Sequence, residues 1–362
     1  MEETREIIVC KEHGFSLIEL LVGAIIAFLV AAAAFTMLTT SSKATRVSDQ
    51  TAQTQQSARI AMELLSHDIK MAGFAMAGPV GNCNQAIVPA DNNVGGADNG
   101  PDSISLVVPA QVGTVNTTTS MWPIQSIDVN LTSAVNVGDP ISIGGMASTT
   151  VSVVSGTTLT LQNSYPKPMT FTAGTPVYLL QCVTYQVIRP TDVNASVCGG
   201  NAPCLVRGIN APLVGGRMDC NGPGGTTACV AITDGVEDVQ FSYACDGCNA
   251  AINAGVADGI IDDQGVVDNQ FTLADFVSDN SWTVAPMTGD TIRLVLVNVV
   301  ARETRPDQGF GEGNATMTTN SPSPITVSDH NPALDSGYSL ATYQQYRRRI
   351  VTRTVEVRNI GL

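Results

Sequence analysis

Residues 15–38 read FSLIELLVGAIIAFLVAAAAFTML, and this stretch decides the architecture. Its 24 residues include one ionisable side chain, Glu19. At about 1.5 Å per residue the stretch reaches roughly 36 Å as a helix, enough to cross about 30 Å of hydrocarbon. A cleaved secretory signal has an apolar core of only about 7–15 residues. The run Ala31-Ala32-Ala33 imitates a small-residue cleavage site, but the length favours a spanning helix. A carboxylate at this depth costs on the order of 3 kcal/mol, so Glu19 is expected to have a function that repays its place.

On the C-terminal side the helix is expected to continue. Residues 39–72 contain neither Pro nor Gly. Ala58, Ala61, Met62, Leu65, Ile69 and Ala72 recur at three- and four-residue spacing, the stripe of an amphipathic helix. Thr39 to Gln56 is rich in Thr, Ser and Gln, which are weaker helix formers. The pattern predicts one helix from Phe15 to Met71, about 57 residues or roughly 85 Å, ending near Gly73. Its segment 15–38 would sit in a membrane or a filament core. The amphipathic continuation, 39–72, would pack on a globular head formed by 73–362.

On the N-terminal side, residues 11–20 read KEHGFSLIEL: a polar leader ending in Gly14, an apolar Phe15, and the lone glutamate four residues later. GFSLIEL resembles the class III signal of type IV pilins and type II secretion pseudopilins. The resemblance implies that a prepilin peptidase removes the leader, residues 1–14, by cutting after Gly14. It also implies N-methylation of the new terminus, Phe15. In that family the equivalent of Glu19 pairs with the terminal amine of a neighbouring subunit, and charge pairing would make both groups tolerable in lipid. The chain departs from the family in two ways. Its leader carries four acidic and two basic side chains where a basic leader is usual. Thr36 stands where many major pilins have a helix-loosening proline, and the first proline is Pro79.

After Pro79 short runs of Val, Ile and Thr alternate with Gly, Asn, Asp and Pro, which is strand-and-turn texture. Strands are expected at 103–108, 126–131, 140–143, 149–154, 157–161, 177–181, 183–188, 236–243, 291–301 and 349–358. The closely spaced strands of 124–180 suggest a small barrel-like β insertion. The fold class is therefore α+β and pilin-like: a long N-terminal helix packed on a large, antiparallel, β-rich head. The blocks AMELLSHDIKMAG (61–73), TDGVEDVQFSYACD (233–246) and YRRRIVTRTVEVRNIG (346–361) resemble PilW-like minor pilins. This likeness implies a minor pilin that initiates or primes type IV pilus assembly, at low copy or at the tip. Its implied partners are other minor pilins, the major pilin, the prepilin peptidase, an inner-membrane platform protein and a large tip adhesin. The implied location is the bacterial inner membrane with the head in the periplasm, and then the pilus fibre, with roles in twitching and adhesion. A J-like pseudopilin of type II secretion, or a membrane-tethered periplasmic enzyme or binding protein, are the alternatives.

The last strand is basic, with Arg347, Arg348, Arg349, Arg353 and Arg358. Such a run protects a sheet edge, pairs with local acids, or docks on an acidic neighbour. Nine cysteines occur, and loss of the leader would remove Cys10. Cys83, Cys182, Cys198, Cys204, Cys220, Cys229, Cys245 and Cys248 remain, an even set that points to disulfides in an oxidising compartment. Short-loop pairings would be Cys198 with Cys204, Cys220 with Cys229, and Cys245 with Cys248. The last pair is a CxxC, but no second CxxC stands at zinc-finger spacing and no thioredoxin-like pattern surrounds it. Asp258, Asp262, Asp263 and Asp268 cluster among glycines and are candidate calcium ligands, although their spacing fits an EF-hand poorly.

No cofactor and no enzymatic activity are expected. A P-loop is absent, and the three histidines, His13, His67 and His330, are far apart in sequence. His67 reads as a helix-surface residue and His330 as part of a polar loop. Lys plus Arg number 18 against 32 Asp plus Glu, a net charge of −14 that argues against binding nucleic acid.

Overall fold

The computed structural model describes residues 16–91, 93–94, 97–98, 100–119, 125–162, 169–214, 217–220, 228–264, 270–278, 282–306, 324–335 and 337–360. One helix, α1, runs Leu17–Met71. The chain divides after Gln50 into two compact units.

In the first unit the helix carries a window of mean hydropathy 2.6, none of it buried. The polar residues that follow do not interrupt it. Hydroxyls of Thr36, Thr39, Thr40, Ser42 and Thr45 donate to carbonyls three or four residues back, at 2.8–3.0 Å. Each hydroxyl is thus satisfied within its own helix, which keeps a Thr/Ser run compatible with an apolar setting.

In the second unit α1 buries Ala58, Ala61, Met62, Leu65 and Ile69, the stripe its spacing predicts. Gly73 ends it with φ +76°, a left-handed conformation in which a Cβ would lie 2.8 Å from that of Ala86.

The head is antiparallel. We label its main strands β1 (Ile87–Ala90), β2 (Ser103–Val115), β3 (Ser126–Leu131), β4 (Pro140–Ile143), β5 (Ala147–Ser155), β6 (Thr158–Leu161), β7 (Pro176–Ile188), β8 (Cys204–Ile209), β9 (Cys229–Asp234), β10 (Val236–Cys245), β11 (Ile292–Arg302) and β12 (Arg348–Glu356). A nine-stranded sheet has the order β1-β2-β3-β6-β5-β4-β7-β8-β9, and β2 also pairs with β7. That extra pairing closes β2-β3-β6-β5-β4-β7 into a ring. The ring has its own core of Val112, Val115, Ile127, Val129, Ile141, Ile143, Leu159 and Val177. A second sheet has the order β10-β11-β12. The main core joins Leu65 and Ile69 of α1, Ile104, Leu106 and Tyr185 of the first sheet, and Phe241, Val297 and Val355 of the second.

Two strands depart most from their sequence-predicted limits. β2 continues through Pro109 to Val115, although a proline lacks an N–H for the ladder. Pro109 faces Leu180 of β7, while on the other side β1 stops at Leu106 and β3 begins at Gly113. No ladder partner on that side needs the missing donor. β7 is a single strand across 176–188 rather than two, because β2 pairs with it continuously from Gln186 to Leu179 and keeps Cys182 in register opposite Val107. Near the corner of the ring, a Cβ on Gly113 would meet the Asn130 carbonyl at 2.5 Å, so only glycine lets β3 approach.

Candidate assembly site

The described helix opens on a reciprocal pair. The Ser16 backbone N–H donates to Glu19 Oε2 at 3.1 Å, and the Glu19 N–H donates to Ser16 Oγ at 3.2 Å. This is a capping box: two of the four orphan donors at a helix start are satisfied, and the carboxylate sits where the helix dipole favours negative charge. The pattern Ser16-x-x-Glu19 carries this signal in plain view, and the sequence reading missed it by treating Glu19 only as an intermolecular group. A carboxylate has about four lone-pair sites, so the cap leaves Glu19 able to accept from a further cation. The processing residues Gly14 and Phe15 lie outside the described residues, as does Cys10.

Beyond the cap, large apolar side chains stand bare: Leu17 is 80% exposed, Phe28 75% and Phe35 68%. A continuous apolar surface of this kind marks a segment that another phase or another molecule covers, and it fits membrane anchoring.

Besides its apolar stripe, the amphipathic part of α1 meets the head through a buried polar cluster. Asp68, nearly inaccessible, accepts from Tyr185 Oη–H at 2.6 Å and from Arg207 Nε–H at 3.2 Å, both through Oδ2. Its other oxygen lies 3.0 Å from His67 Nδ1, and His67 is itself exposed. Burial, followed by the nearby Asp68 carboxylate, pushes the Tyr185 phenol well above its ordinary value, so it stays a donor. Asp68 and Tyr185 lie 117 residues apart, and no local pattern could pair them.

Four disulfides form: Cys83–Cys182, Cys198–Cys204, Cys220–Cys229 and Cys245–Cys248. The first ties the segment after α1 to the middle of β7 across 99 residues; the others close short loops. The CxxC turn is held by Asp263, whose Oδ2 accepts from the N–H groups of Gly247 and Cys248. Asp246 accepts from the N–H groups of Asp258 and Gly259 at 2.9 and 3.1 Å, and Asp258 Oδ1 from that of Ile260. Asp262 is buried, and Asp268 lies outside the described residues. Asp258 and Asp263 thus each bond backbone amides. Among the described residues no group of three or more His, Cys, Asp or Glu side chains is placed to hold a metal.

At the other end of the chain Arg348 binds Glu237 through two nitrogens, the closer at 2.5 Å, and stacks over Tyr343. Arg353 reaches Ser66 of α1 at 3.4 Å. Part of the basic run therefore faces groups within the head.

A bare apolar helix with a capped N-terminal carboxylate, continuing into a disulfide-bonded β head, defines the class: a type IV pilin-like protein. Residues 10–35 match the prokaryotic N-terminal methylation motif. Residues 196–359 match the family described as type IV pilus-assembly protein W, and the two matches together support a pilus-related, PilW-like minor pilin. Comparison with curated proteins and with solved structures returned no match.

Proposed function

We propose that this chain primes assembly of a type IV pilus as a low-copy or tip subunit, working by binding and carrying out no chemistry on a substrate. The supporting observation is the contrast along α1, whose uncovered apolar half bears one carboxylate at its start. In this reading Gly14 and Phe15 are the processing site. Glu19 sets subunit register by taking the terminal amine of a neighbour, in addition to its cap on Ser16. The apolar segment anchors the subunit in the inner membrane with the head in the periplasm, and later lies among other pilin helices. The partners are the prepilin peptidase, other minor pilins, the major pilin, the platform protein and a tip adhesin. The size of the head, with a closed ring of strands added to the sheet behind α1, suits a position that is not repeated along a thin fibre.

The test is a deletion complemented with Glu19→Ala. Loss of surface pili and twitching, with the variant still in the membrane at normal amount, supports the reading. Normal piliation with secreted proteins trapped in the periplasm would instead indicate a secretion pseudopilin. Full complementation by Glu19→Ala would indicate a protein that needs only its anchor.

A further inference from the structure

Residues 324–335 lie against the face of the second sheet opposite the main core. Val239, Phe241 and Tyr243 of β10 point into the core, so Asp238, Gln240 and Ser242 occupy the other face. Ser328 Oγ meets Ser242 Oγ at 2.7 Å, and a turn bridges Val327 to His330. His330 is 1% exposed and lines a cleft of about 310 Å³. Its Nδ1 is 2.6 Å from Asp238 Oδ2, and its Nε2 is 2.9 Å from Asp335 Oδ1.

That geometry restricts the state of the ring. A neutral imidazole has one N–H, whereas a carboxylate only accepts, so contacts at both nitrogens require two N–H groups or a protonated carboxyl. Asp238 Oδ1 accepts from Gln240 Nε2–H at 3.0 Å, which leaves Oδ2 to the His330 ring. For Asp335, burial works against the charge. The hydrogen bond from His330 and the positive charge of Arg189, 2.9 Å away, outweigh burial and hold the carboxyl below its ordinary value. Two carboxylates are then balanced by Arg189 and a charged His330. The other charged groups nearby are one carboxylate and two guanidinium groups. Glu237 of β10 faces Arg348 of β12 and Arg302 of β11, and the phenol of Tyr343 is pushed up by burial and stays neutral. Tyr338 also lines the cleft.

We propose that His330 is a pH-released clasp: as the imidazolium it pins residues 324–335 over the polar face of β10, and loss of its proton frees them. Deprotonation removes one of the two ring hydrogen bonds and leaves Arg189 alone against two carboxylates. The folded, clasped form binds the proton, so the closing contribution is fully present at low pH and is lost as pH rises through the His330 titration. On the acid side the clasp needs the Asp335 carboxylate, whose depressed value keeps it ionised until pH falls below the usual carboxylate range. Opening would release the contacts of 324–335 with Asp238 and Ser242. The inference stands apart from the pilin reading, because it concerns the head alone.

The experiment uses the full chain in detergent with ¹⁵N-labelled histidine. The clasp predicts two ring N–H groups on His330 at about pH 7.5, where an ordinary histidine is largely neutral. It also predicts hydrogen exchange in 324–335 that rises by about tenfold or more between about pH 7 and pH 9, after correction for the chemical rate and with β11 unchanged. His330→Gln should exchange fast in that segment at both pH values. A single ring N–H on His330 at that pH, or exchange that follows only the chemical rate, would overturn the proposal. If His330→Gln does not fold, the two measurements on the unsubstituted chain decide it.

Discussion

Residues 17–50 and the head contain similar apolar side chains with opposite fates. Leu29 is 62% exposed, whereas Leu65, on the same helix, is fully buried. The head hides its apolar residues behind two sheets and holds them with disulfides. The N-terminal unit hides none and depends on a membrane or on neighbouring helices for cover. The head is thus specified by its own tertiary structure and the N-terminal segment by what it will meet.

Mutations can break this comparison. The largest effect is expected from replacing both Cys83 and Cys182 with Ser. Their bond spans 99 residues, and a loop of that size corresponds to about 4–5 kcal/mol of head stability in the chain-entropy account. Denaturant melts of the head signal should show it, and an unchanged midpoint would mean that the ring and main core hold without the link. Next comes a matched pair. Leu65→Ala should cost about 2–5 kcal/mol, whereas Leu29→Ala should change head stability by less than about 0.5 kcal/mol. Equal costs in the same melts would erase the distinction between the two regions. A smaller cost than that of Leu65→Ala is expected from Tyr185→Phe, which takes one donor from buried Asp68 and should cost about 1–3 kcal/mol. Its signature is faster hydrogen exchange in the α1 segment near Asp68 relative to β11; uniform exchange would indicate that the Tyr185 bond does not fasten the helix.

How much of this was legible follows from the range of each interaction. The helix was readable because its stripe, Ala58 through Ala72, repeats locally and Gly73 punctuates it. The β character of the head was readable from Val/Ile/Thr runs between turn residues. The run of β2 past Pro109 was not, because the tolerance of that proline depends on where β1 ends and β3 begins. Nor were the Asp68–Tyr185 bond or the burial of His330, since both join residues about 90 or more positions apart. The capping box was legible and overlooked: a lone glutamate in an apolar run drew attention to a partner subunit and away from Ser16, three residues before it.

The most direct test of the account is the N-terminal residue of the mature chain, read by mass spectrometry from native membranes or sheared filaments. The account predicts a first peptide that begins at N-methylated Phe15, with residues 1–14 absent. A chain that keeps its leader, or one cut near Ala33, would contradict it.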